Sequence, residues 1–159
     1  MGAQQDSAVG AIIGTLIGDA LGVGPHWYYN LDQLKSDYGD WIDTYKAPKP
    51  HRYHAGLAAG ENSQTGEVTI FLLESISESG EYRESDFTHR LDMLLDTLDG
   101  TPKGGRYTDH AMRDVYRARQ KEGLPWSHAG SFADTAEAAI RAPVISACCF
   151  NDMDRLGLK

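Results

Sequence analysis

Three stretches of this chain combine residue types and spacings that could do chemistry. The first is the glycine-bounded loop GENSQTG, residues 60–66, which leads into a dense apolar block of Val68, Ile70, Phe71, Leu72, Leu73 and Ile76. A loop that opens a helix offers unpaired N–H groups and the positive end of the helix dipole. Ser63, Gln64, Thr65 and the local amides could therefore cradle a phosphate or a ribose hydroxyl. No lysine follows the last glycine, so this is not a P-loop, and simple capping by Ser63 or Thr65 accounts for the same residues without a ligand. The second is Asp19, the one acid within residues 7–24. It either bonds backbone groups in the next turn or points into a polar pocket at the end of its helix. The third is His26, beside Trp27, Tyr28 and Tyr29. That neighbourhood suits either stacking on a planar ring or sealing a core.

Other constellations are weaker. His51 and His54 are three apart, but Pro48 and Pro50 oppose a helix there and a tetrahedral metal site needs more ligands, so they read as a surface pair. Asp109, Asp114 and Glu122 are strewn along one polar face and give no carboxylate pair by spacing. No G-x-S-x-G elbow is present. Cys148 and Cys149 are adjacent in an apolar run, which fits buried reduced thiols better than a disulfide framework or a metal site.

Helices must position these groups, because no useful period-2 alternation occurs in the sequence. Residues 7–24 read as a helix with glycines at 10, 14, 18 and 22. Residues four apart share a face, so this stripe is expected to let another backbone approach closely. A membrane span is disfavoured because the apolar run is too short, holds a carboxylate and lacks basic flanks. Asn30 caps a short helix ended by Gly39, with Gln33 placed for a capping box. Residues 40–60 read as a long ordered loop. A buried helix is expected over about 65–78, stopped at Gly80. Ser85 caps an amphipathic helix that runs to Gly100 on Phe87, Leu91, Leu94, Leu95 and Leu98. Thr108 or Asp109 begins a helix to Glu122 with Met112, Val115 and Tyr116 inward. Asp134 and Glu137 form a capping box for a last helix, which Pro143 divides.

The chain of 159 residues is 41% apolar with a net charge of -8. It fits one all-α domain over 1–159, with no basic patch for nucleic acid. No secretory pattern opens it, so a cytoplasmic home is expected.

The stretches GAIIGTLIGDALGVGPHWYY, AGENSQTGEVTIFLLESI and TAEAAIRAPVIS, in that order, resemble the ADP-ribosylglycohydrolase family, nearest to its J-type lens crystallin branch. The resemblance runs from about Ala8 to Leu156. It implies a multi-helix, orthogonally packed domain with a binuclear Mg2+ or Mn2+ centre that positions ADP-ribose and a water. The family's Thr-Asp-Asp-Thr metal motif falls on Ser63, Gln64, Thr65 and Gly66, so both acids are replaced by neutral groups, whereas hard divalent ions prefer carboxylates. His26 stands where an acid often follows GDALG, while Asp19, Gly18 and Gly22 match. A second motif, Asp-x-Asp-Thr, belongs to a C-terminal half, so the chain corresponds to the N-terminal part. The resemblance implies hydrolysis of ADP-ribosyl bonds, or alternatively a crystallin-like structural or ADP-ribose-binding protein. Asp19, His26, Ser63, Gln64 and Thr65 are the expected ligand-contacting set. Faces left uncovered by truncation are expected to promote self-association.

Overall fold

A computed structural model describes residues 3–102 and 106–149. Among them there is no strand. The helices are α1 Ala3–Val23, α2 Leu31–Tyr38, α3 Gln64–Ser79, α4 Glu84–Leu95, α5 His110–Tyr116 and α6 Ala142–Cys149, as the all-α expectation requires. The centre is α3, which packs on α1, α4 and α6. Its buried Val68 and Leu72 join Phe87 and Leu94 of α4 and Val144 of α6, with Ile12, Leu91 and Met112 against them.

Local chemistry sets the ends. Asn30 accepts from the Asp32 and Gln33 amides to start α2, and the Gly39 amide closes it on the Lys35 carbonyl. Ser63 accepts from the Gly66 amide to start α3, and Gly80, at φ 73°, ends it in a left-handed turn that only glycine adopts cheaply. Asp109 caps α5 through the Met112 amide. That helix widens into a π-turn, Arg117–Lys121, before Gly123.

Several expectations are corrected. α4 starts at Glu84 with Arg83 in the cap position and no side-chain cap, so Ser85 lies inside the first turn. It also stops at Leu95, where Thr97 turns its hydroxyl back to the Leu94 carbonyl, and does not reach Gly100. Residues 134–138 are not helical, so Asp134 and Glu137 form no capping box. A 3-10 turn, Ala139–Arg141, leads into α6 instead, and Pro143 occupies the first turn, where its missing N–H costs no helical bond. Cys148 is exposed and Cys149 half-buried, both free, in place of the buried thiols expected.

The glycine stripe is also corrected. A Cβ added at Gly10, Gly14, Gly18 or Gly22 would meet no described atom within 4 Å beyond its chain neighbours and its own helix backbone, and Val9, Ile13 and Ile17 are exposed. The close approaches occur elsewhere: a Cβ at Gly24 would lie 2.3 Å from the Lys46 carbonyl oxygen, and one at Gly66 would lie 2.2 Å from Asp19 Oδ2. Contrary to expectation, the apolar run is not too short for a membrane span: by length and composition Gln5–Val23 could cross one. Asp19 within that run is instead bonded to the start of α3.

Leu72 is 1% exposed at the crossing of α3 with its neighbours. Leu72→Ala is expected to cost about 3 kcal/mol, read as a lower denaturant midpoint at unchanged slope.

Candidate functional site

The start of α3 is fastened to α1. Asp19 Oδ1 accepts from the Ser63 hydroxyl at 2.5 Å, and Oδ2 accepts from the Ser63 amide at 2.8 Å and from Asn62 Nδ2 at 2.9 Å. Asn62 Nδ2 also reaches the Leu16 carbonyl, and Arg106 donates to the Asn62 carbonyl. Asp19 therefore bonds forward across the fold, not into its own next turn, and its oxygens serve as a latch. Ser63 is consumed twice over, since it also caps α3.

Gln64 and Thr65 face inward from the first turn. Gln64 is 2% exposed; its Nε2 donates to Thr108 Oγ1 at 3.2 Å, while its Oε1 is buried without a partner among the described residues. Two cavities flank this turn. One, of about 310 Å³, is lined by Gln64, Thr65, Asp109, Glu137 and Arg141 over an apolar wall that includes Leu91 and Met112. The other, of about 260 Å³, is lined by Asp19, His26, Ser63, Thr65 and Glu137. Thr65 and Glu137 belong to both walls. All five expected residues thus surround one region, but Asp19 and Ser63 are spent on holding it together.

Residues that spacing marked only for other roles, or not at all, complete the region. Glu137 comes from the non-helical segment before the 3-10 turn, and its Oε2 is buried with no hydrogen-bond partner among the described residues. Asp109 holds the Met112 amide with Oδ1. Burial pushes its carboxyl above the usual range, the Met112 amide opposes this, and the Glu137 charge adds to it. Arg141 makes no ion pair within 4.0 Å among the described residues, and burial lowers its guanidinium, against the pull of Tyr82, Asp109 and Glu137. Asp109 and Glu137 are 28 positions apart in different elements, so helical spacing could not pair them.

His26 is mounted from beneath. Its Nδ1 lies 2.8 Å from Nε2 of His54, which is 6% exposed. His54 is thus not the surface partner of His51 that its spacing suggested. The His26 ring stacks on Trp27 at 4.3 Å between centroids, and Trp27 meets Tyr53 and Tyr107 edge-on. Trp27 has φ 58°, a costly conformation for a bulky residue. Arg52 holds it there by donating to the His26 and Trp27 carbonyls while covering the Tyr28 ring at 3.8 Å. The long loop earns its order by carrying Arg52, Tyr53 and His54. Burial lowers both imidazoles, His54 to about 4 with the His26 charge contributing, and His26 against the opposing charges of Asp19 and Glu137.

The residues at the metal-motif position do not fit a divalent centre. Ser63 is committed to Asp19, Gln64 supplies one neutral oxygen, and no group of three or more His, Cys, Asp or Glu among the described residues could hold an ion.

Comparison with known proteins agrees with this helical arrangement. An uncharacterised protein of Archaeoglobus fulgidus is 31% identical over 135 residues, which cover 84% of this chain and 40% of that protein. The chain thus spans well under two thirds of that relative's length. No solved structure matches. The sequence profile of the ADP-ribosylglycohydrolases matches residues 1–157, nearly the whole chain, and by that match the chain belongs to the ADP-ribosylglycohydrolase family.

Proposed function

We propose that this chain recognises ADP-ribose, free or attached to a substrate, through oxygens and a guanidinium of its own, without the family's Mg2+ or Mn2+. The observation that carries the reading is the pair of buried acceptors without partners among the described residues, Gln64 Oε1 and Glu137 Oε2, beside Arg141. A buried acceptor left unbonded costs about 1–3 kcal/mol, and a charged one more, so a ligand that donates to both is strongly rewarded. Ribose hydroxyls are such donors. Arg141 supplies the matching cation for a phosphate, and the Leu91 and Met112 wall takes a flat apolar ring. The five residues of the expected ligand set keep roles here: Gln64, Thr65 and His26 at the cavity walls, Asp19 and Ser63 as their support.

Calorimetric titration with ADP-ribose in EDTA tests the reading. Binding is expected in EDTA with unchanged affinity when Mg2+ is added, and Arg141→Ala is expected to weaken it about tenfold or more, the value of one charge-assisted contact. A crystallin-like structural role predicts no heat at millimolar ligand, and that result would reject the reading.

A further inference from the structure

We infer that α1 docks against α1 of a second copy of this chain, the two helices crossing antiparallel about a two-fold axis at Gly14. The inference starts from the chemistry of the outward side of α1. From Ala8 to Val23 every exposed residue of that helix is apolar or glycine. Val9, Ile13 and Ile17 are 47%, 50% and 40% exposed. They stand four apart and so form one row along the helix. The neighbouring row is Gly10, Gly14 and Gly18, where an added Cβ would meet no described atom within 4 Å beyond its chain neighbours and its own helix backbone. An apolar ridge thus lies beside an open groove of the same length.

These two rows fit a copy of themselves. Rotation about a two-fold axis at Gly14 lays the Val9, Ile13 and Ile17 ridge of each helix into the glycine groove of the other, the packing in which rows of residues four apart interdigitate. Charge sets the direction of crossing. Asp6 and Gly22 each lie eight positions from Gly14, so an antiparallel crossing brings them opposite one another. Lys46 starts beside that end of α1, its Cβ 2.9 Å from a Cβ added at Gly24. Asp6 is exposed, and neither Asp6 nor Lys46 makes an ion pair within 4.0 Å among the described residues. The two-fold axis therefore sets Asp6 of each copy towards Lys46 of the other, whereas a parallel crossing would set Asp6 against Asp6.

A lipid bilayer does not fit the same face. The other side of α1 packs on α3 and α6, and Asp19 is bonded to Ser63 and Asn62, so the helix is not free to leave the fold and span. It carries no Lys or Arg to meet headgroups, in a chain of net charge -8. The paired rows run for about 20 Å or less. A contact of that size is small among specific complexes, so the dimer should be reversible and depend on concentration.

The test is sedimentation equilibrium of the full chain, in reducing buffer so that the exposed Cys148 adds no disulfide. A monomer and dimer in equilibrium are expected, with Kd on the order of 10–100 µM. Gly14→Leu fills the groove and should weaken dimerisation about tenfold or more. It should not lower helicity, because the space around Gly14 is open and a helix favours leucine over glycine. Asp6→Lys should weaken the dimer about fivefold, and adding Lys46→Asp should restore it. Trp41→Ser, at an 80% exposed apolar site outside α1, should change nothing. A monomer at every concentration overturns the inference, and so does a dimer that survives Gly14→Leu or is lost in Trp41→Ser. Failure of the double charge variant to recover overturns the antiparallel crossing. Flotation of the chain with phosphatidylglycerol vesicles would assign the face to lipid and overturn the dimer.

Discussion

Asp19→Ala is expected to lower unfolding stability by about 3–4 kcal/mol. The carboxylate accepts from the Ser63 hydroxyl, the Ser63 amide and Asn62 Nδ2, and these bonds tie α1 directly to the start of α3. Hydrogen bonds to a charged acceptor contribute about 1.5–3 kcal/mol each. Water admitted to the vacated space returns part of that. Asn62 keeps the Leu16 carbonyl, whereas the Ser63 amide at the helix start is left bare. Gly66 belongs to the same joint. A Cβ there would stand 2.2 Å from Asp19 Oδ2 and 2.8 Å from Asn62 Cβ, so Gly66→Ala displaces the carboxylate even though the helix itself would welcome alanine. The two substitutions therefore damage one contact. The double variant should be less destabilised than the sum by at least about 1 kcal/mol. Chemical denaturation of the four proteins measures this, and strict additivity would show that Asp19 does not bridge the helices.

Acid is expected to strip on the order of 2–3 kcal/mol from the fold through His54. The imidazole is 6% exposed and is held down to about 4, against 6.5 in the open chain, first by burial and then by the His26 charge. Between those values the unfolded chain binds a proton that the folded chain refuses, so stability must fall as the pH falls. The contribution is complete above pH 6.5 and is lost progressively as the pH drops towards 4. Asp109 works in the opposite direction, because burial favours its protonated form in the fold. The comparison that isolates His54 is therefore the wild type against His54→Gln, which retains Asp109 and can still donate to His26 Nδ1. The variant's stability curve should be flatter by that amount between pH 6.5 and 4. Parallel curves would mean that His54 is charged in the folded protein.

Local signals in the sequence mark some helix ends and miss others, since Ser85 caps nothing and α4 ends at Leu95, short of Gly100. Asn30, Ser63 and Asp109 cap the helices they precede, and Gly39, Gly80 and Gly123 stand at the turns that close them. The family resemblance located Asp19, His26, Ser63, Gln64 and Thr65, which do gather around the start of α3. What periodicity could not convey was assignment between elements. Asp19 reads first as bonding its own next turn, yet a partner 44 positions later takes its oxygens. His54 looked like half of an exposed pair until the loop folded it under His26. Glu137 carried a capping-box spacing, but Asp134 starts no helix, and the same side chain is released into a cavity. The glycine stripe on α1 invited close packing. Among the described residues that face instead stays open, beside exposed Val9, Ile13 and Ile17.

The most direct measurement is an anomalous-scattering map of crystals of the chain soaked with Mn2+ and ADP-ribose. The account predicts ADP-ribose in the cavity between Gln64, Glu137 and Arg141, its hydroxyls on Gln64 Oε1 and Glu137 Oε2, and no manganese peak against the Gln64 or Thr65 side chains. A manganese ion bridging that turn and the ribose would contradict it.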